Sequence, residues 1–160
     1  MAPKRYYEDL STGELEESSR KSVSKDEILE FAGRYDPQYF HADGEAAKSS
    51  RFQEVIASGI QIMAIWRVLD HEIAGDIAWI CGVAWDEVRF PTALRAGDSV
   101  YARAEFLEKR VSNSDPTRGV VKTRYTLINQ DDETVWSCIS TNLVERRDVP
   151  EHAHRETYGR

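Results

Sequence analysis

The chain has 160 residues, room for one domain of ordinary size and not comfortably for two. It carries 21 Lys and Arg against 28 Asp and Glu, a formal charge of −7, which argues against a general nucleic-acid surface because phosphate backbones are met by concentrated positive charge. Apolar residues make up 41% and charged residues 31%, the balance of a packed core under a solvated surface. The longest uncharged stretch, Val55 to Trp66, falls well short of the roughly 20 apolar residues of a membrane span.

The opening MAPKRYYEDL lacks the apolar segment of a secretory signal, and it reads, like the polar tail from about residue 149, as a loosely held end of a single domain spanning 1–160. Two cysteines, Cys81 and Cys138, provide no disulfide framework, so a reduced cytoplasmic setting is the expectation.

The first helix is announced by Ser24-Lys-Asp-Glu27. In this capping box the Ser24 hydroxyl accepts from the Glu27 N–H while the Glu27 carboxylate reaches back. Ile28, Phe31, Ala32 and Tyr35 follow at helical spacing, and the helix must stop near Tyr35 because Pro37 pushes Asp36 out of the α region. A short helix is predicted from about Gly44 to Ser49. A third runs from about Ser58 to Ile73, roughly 24 Å at 1.5 Å per residue; it is apolar almost all round and is therefore expected to be buried.

The second half reads as strands. Ile77 to Phe90 is rich in Ile, Val and Trp; Val100, Ala102, Ala104 and Phe106 then alternate with Tyr101, Arg103, Glu105 and Leu107. Ser112 to Gly119 is a loop by composition. Val121, Thr123, Tyr125 and Leu127 share a face, Asn129 to Glu133 makes a hairpin connection, and Val135 to Val144 returns. Helices first and long consecutive strands after them give an α+β arrangement, with one buried helix lying across a long curved antiparallel sheet.

The segment Asp36-Pro37-Gln38-Tyr39-Phe40-His41 puts a carboxylate and an imidazole five residues apart across an irregular turn. Asp36 follows a helix C-terminus, where the macrodipole disfavours an anion by a few tenths to about 1 kcal/mol, so stability alone favours another residue there. The plainer reading is an Asp-Pro turn beside a packed histidine, and on spacing alone it is the better one. A second feature changes the balance. Ser58-Gly59-Ile60 opens the long helix, whose free N–H groups favour developing negative charge as an oxyanion hole does. Taken singly, Ser58 is explained as an N-cap and Gly59 by close packing.

From Phe31 to Leu69 the chain resembles the MaoC-like dehydratase family, hotdog-fold relatives of the (R)-specific enoyl-CoA hydratases. That family's motif reads Asp-x-Asn-Pro-apolar-His, five residues, then a small one; here Asp36 to His41 is followed after five residues by Ala47, and Ile56-Ala57-Ser58-Gly59 precedes the central helix. Gln38 stands in place of Asn, Tyr39 in place of Pro, and Tyr35 in place of a preceding glycine.

The resemblance implies a hotdog fold, addition of water to a 2-enoyl-CoA or its removal, Asp36 and His41 as the acid/base pair, and the Gly59 N–H as the group that polarises the thioester carbonyl. Ser58 and Ile60 are its substrate-binding neighbours. It further implies a homodimer or higher homo-oligomer, coenzyme A as part of the substrate, and no metal or separate cofactor. The alternatives are an acyl-CoA thioesterase of the same fold and a non-catalytic acyl-CoA binding module.

Other features are weaker. His71 is a packed or helix-end residue, His152 and His154 make a poor metal signal without a third ligand, and Cys138 reads as core. The tryptophans at 66, 79, 85 and 136 suit core or interface. A coenzyme A phosphate calls for a local basic cluster, with candidates Arg89, Arg95, Arg103, Lys109, Arg110, Arg118, Lys122 and Arg124, and the competing reading of these is a strand face of alternating charge.

Overall fold

The computed structural model describes residues 3–147 and 149. The N-terminal part carries two short strands, β1 (Leu15–Glu17) and β2 (Lys21–Ser22), and three helices, α1 (Lys25–Tyr35), α2 (Tyr39–Ala42) and α3 (Gly59–Ala74). Four long strands follow: β3 (Trp79–Arg89), β4 (Ser99–Val111), β5 (Arg118–Ile128) and β6 (Thr134–Glu145). They form one antiparallel sheet in the order β1-β4-β5-β6-β3, with β2 also on β4, so β3 is an edge strand.

The alternation in the strands is realised in the packing. Val100, Ala102, Ala104 and Phe106 of β4, and Val121, Thr123, Tyr125 and Leu127 of β5, are buried on the face that receives α3. Alanines at 102 and 104 keep that face shallow where the helix crosses. The Trp66 ring of α3 lies 4.9 Å from Tyr125 and 4.6 Å from Trp136, which fixes the helix over β5 and β6. This is the hotdog arrangement, a sheet curled around one central helix.

Three expectations are corrected. From Lys4 to Leu10 the opening residues are not loose. Arg5 pairs with Glu16 and with Asp76, the Ala78 N–H donates to the Arg5 carbonyl at 2.8 Å, and Lys109 Nζ donates to the Tyr7 and Leu10 carbonyls. Gly119 is needed here, since a Cβ at that position would overlap the Tyr7 ring. These partners are distant in sequence, so no local pattern announces them. The short helix expected at Gly44 to Ser49 is a 3₁₀ turn at Ala46–Ser49, preceded by α2, one turn of helix that carries His41.

The third correction concerns α3, which is not buried all round. Ile60, Ala64 and Val68 form an exposed stripe at four-residue spacing, Ile60 and Val68 being 51% and 59% exposed, while the polar Gln61 and Asp70 are buried. The tail expected to be loose from about residue 149, including His152 and His154, lies outside the described residues apart from Val149.

No helix among the described residues is long and apolar enough to cross a membrane. Cys138 is buried and its thiol is pushed up to about 12, first by burial and then by the nearby Asp70 carboxylate; this suits a core residue.

Candidate active site

The site is assembled by the break between α1 and α2. Ser24 and Glu27 close the capping box at the start of α1, and at its end the Asp36 N–H donates to the Ala32 carbonyl at 3.0 Å, making Asp36 the C-cap. Its backbone leaves the helical region at φ −153°, ψ 74°, as the following proline demands. Within the next turn the Gln38 N–H returns to the Asp36 carbonyl, and the His41 N–H donates to the Gln38 carbonyl. This tight reversal brings the two side chains together, with Asp36 Oδ2 and His41 Nε2 3.9 Å apart and the side chains only 20% and 8% exposed.

Each group has a holder. Gln38 Nε2 donates to Asp36 Oδ1 at 3.1 Å, which leaves Oδ2 facing the imidazole. His41 Nδ1 lies 2.7 Å from the Ile56 carbonyl, and a carbonyl only accepts, so Nδ1 bears a proton; in the neutral form of the ring Nε2 then presents its lone pair to Asp36. The Phe40 ring stands edge-on to the imidazole at 4.5 Å, and Phe52 backs Phe40 at 5.6 Å. Asp43, beyond the pair, spends Oδ1 on the Glu45 and Ala46 N–H groups and serves the turn.

The same contacts bring in the start of α3. The Ile56 N–H donates to the Phe40 carbonyl at 3.2 Å and the Ala57 N–H to the Leu94 carbonyl at 2.8 Å, so residues 56–57 are clamped between α2 and the loop before β4. Ser58, fully buried, caps α3 by accepting from the Gln61 N–H at 3.2 Å. Gly59 and Ile60 then open the helix, where N–H groups have no intrahelical acceptor. A Cβ on Gly59 would sit 3.0 Å from the Phe90 ring, so glycine here permits close approach of the residue after β3. Asp36, His41, Ser58, Gly59 and Ile60 are thereby tied into one corner of the fold. Gln38, in sequence only a departure from a motif, is in the fold the hydrogen-bonding neighbour of Asp36.

The basic cluster fares differently. Arg95, Arg103, Arg118, Lys122 and Arg124 pair with Glu54, Glu17, Asp115, Glu108 and Glu105, and Lys109 is spent on two carbonyls. Arg89 and Arg110 bond to neighbouring backbone carbonyls. All eight are thus engaged within the chain, as the reading of alternating charge expects. His71 is exposed in the last turn of α3. Among the described residues no group of three His, Cys, Asp or Glu side chains is arranged to hold a metal ion.

Two cavities border α3. One, about 300 Å³, lies between α1 and α3 against Phe31, Tyr35, Ala64 and Val68. The other, about 390 Å³, lies between the C-terminal half of α3 and the sheet, and is lined by Arg67, Asp70, Tyr125, Ser140 and Asn142 among others. Neither includes Asp36 or His41. Burial pushes the Asp70 carboxyl above its ordinary range, with Arg67 and Tyr125 opposing.

The family described as "MaoC like domain" matches residues 10–129. An uncharacterized protein, YdeM, from Bacillus subtilis is 30% identical over 143 residues, covering 87% of this chain and 98% of the relative. The crystal structure of a MaoC-like dehydratase from Rhodospirillum rubrum superposes with a TM-score of 0.82 at 33% identity, over 91% of this chain and all of that one. An R-hydratase, PhaJ1, from Pseudomonas aeruginosa shares the fold at a TM-score of 0.64 and 22% identity, over 91% and 93% of the two chains.

The hydrogen bond to Ile56 makes a direct prediction. Nitrogen-15 NMR will show the neutral form of the His41 ring as the Nδ1–H tautomer; an Nε2–H tautomer contradicts the orientation described.

Proposed function

Because the chain belongs to the MaoC-like dehydratase family, we propose that it adds water to, or removes it from, a 2-enoyl-CoA or related acyl thioester, with Asp36 and His41 as the acid/base pair. The observation that carries this reading is the 3.9 Å gap between Asp36 Oδ2 and His41 Nε2. It is too long for a direct hydrogen bond and suited to two acceptors sharing one water, and the Nδ1 proton is already committed to Ile56.

In the hydration direction the thioester oxygen sits at the Gly59 N–H, where the helix N-terminus stabilises the enolate-like charge that develops. Ser58 holds that helix start by its cap, and the exposed Ile60 lends an apolar wall beside it. A water bridging Asp36 and His41 attacks C3 and gives a proton to the pair, with the Nε2 lone pair as acceptor. The pair then delivers a proton to C2. Hydroxyl ends on C3 and hydrogen on C2, the pair is restored, and dehydration is the reverse. Gln38, which stands where the family's motif has asparagine, keeps Asp36 turned toward the water. No step calls for a metal or redox cofactor, and two free cysteines suit a cytoplasmic setting.

The functional unit in this reading is a homodimer joined through β3. That strand leaves one edge unpaired, with Ile80, Val83 and Trp85 41%, 55% and 49% exposed, the kind of edge proteins rarely leave open to water. Joining two copies side by side covers it and continues the sheet.

Asp36→Asn and His41→Ala, made separately, are each expected to lower kcat/KM for crotonyl-CoA hydration by about 10²–10⁴-fold, measured as loss of enoyl absorbance. Retained activity in both overturns the assignment, and thiol release without loss of the enoyl band indicates a thioesterase instead. Sedimentation of the wild type will give the mass of two chains and Val83→Asp that of one; a monomeric wild type contradicts the β3 pairing.

A further inference from the structure

The cavity beside the C-terminal half of α3 takes no part in the chemistry above, and its lining is unusual for a place next to a central helix. Asp70 is only 3% exposed; its Oδ2 pairs with Arg67, and its buried Oδ1 has only the weak contact that the carboxylate makes with the Tyr125 hydroxyl. Around it stand the Tyr125 hydroxyl, the Ser140 hydroxyl and the Asn142 amide, with Trp85 as a wall. A buried polar atom that is only partly paired carries a free-energy penalty that a hydrogen-bonding ligand relieves and an alkyl chain does not.

The position of this cavity follows from how α3 and β3 run. They are antiparallel: at one end Trp79 Nε1 donates to the Ala74 carbonyl at 2.9 Å, and at the other the Phe90 ring lies against Gly59. A two-fold axis pairing β3 antiparallel with its copy therefore sets the Phe90 end of one strand beside the Trp79 end of the other. The start of the partner's α3 then comes next to the Arg67–Asp70 cavity. Within one chain, by contrast, Gly59 and Asp70 are separated by eleven residues of helix, about 16 Å at 1.5 Å per residue, beyond the reach of a short acyl group.

We propose that the Arg67–Asp70 cavity of one protomer receives the acyl end of the thioester bound at its partner's Asp36/His41 site, and that it selects an acyl group ending in a polar, hydrogen-bonding function over a plain alkyl tail. This rests on the thioester reading and on the β3 dimer. Arg67, whose side chain is 43% exposed, offers its remaining N–H groups to a carboxylate, and Asp70 Oδ1 accepts from a hydroxyl. An alkyl end answers neither group beyond the bond they make to each other, and a site built for hydrogen bonding rejects its apolar analogue.

The test compares 2-hexenoyl-CoA with 2-hexenedioyl-CoA and 6-hydroxy-2-hexenoyl-CoA, which share a chain length and differ at the far end. The wild type is expected to favour at least one polar substrate by about tenfold or more in kcat/KM. In Arg67→Leu/Asp70→Leu, where neither charge is left without its partner, that ratio is expected to fall to one or reverse. Should the double variant fail to fold, Arg67→Gln, at a half-exposed position, reads the carboxylate arm alone. Dissociation constants for hexanoyl-CoA and adipoyl-CoA give the same ratio without turnover, so a protein that hydrates nothing overturns the proposed reaction while the binding ratio still decides the subsite. A wild type that favours the alkyl end, a ratio the substitutions leave unchanged, or a monomer with full selectivity overturns the inference.

Discussion

The site depends on one bond, from the His41 imidazole to the Ile56 carbonyl at 2.7 Å. It fixes which nitrogen carries the proton, and together with the return bond from the Ile56 N–H to the Phe40 carbonyl it ties α2 to the segment that leads into the central helix. Without it the two halves of the site, an acid/base pair on a broken helix and a helix N-terminus on the core, would be positioned by separate elements. With it they form one unit, and the nearly full burial of His41 makes that bond costly to lose.

Around that unit the fold accepts costs that stability alone would avoid. Asp36 places an anion at the negative end of α1, and Gln38 rather than a cation answers it. Asp70 puts a carboxyl on the buried face of α3, raised by burial and only partly compensated by Arg67. Ile60, Ala64 and Val68 leave an apolar stripe in the open, and β3 leaves an unpaired edge. Such departures from local consistency mark places where a sequence answers to something other than its own core. Here they fall at the proposed reaction centre, at the second cavity and at the surfaces that a second copy would cover.

Much of this was legible in the residues. The capping box at Ser24 and Glu27, the stop imposed by Pro37, the cap at Ser58 and the period-two faces of β4 and β5 are local rules, and local rules leave local patterns. Asp36 and His41 were legible because the turn that joins them is only five residues long. Features made by distant partners were not. Arg5 finds Asp76, Tyr7 covers Gly119, and β1 and β2 are too short to show alternation before β4 recruits them. The exposed stripe on α3 was hidden for a different reason. An apolar residue looks the same in sequence whether it meets the sheet, a ligand or another chain. The partners of several basic residues of the second half were hidden because they stand across the strand pairing, as Glu105 does opposite Arg124.

The central claim is that Asp36 and His41 act together on one water. A crystal structure of the complex with 3-hydroxybutyryl-CoA tests it most directly, because the 3-hydroxyl oxygen marks where that water added. The account predicts this oxygen within hydrogen-bond reach, about 2.6–3.2 Å, of both Asp36 Oδ2 and His41 Nε2, with the thioester oxygen at the Gly59 N–H. A 3-hydroxyl bound away from either side chain, in a complex whose thioester occupies the start of α3, would contradict it.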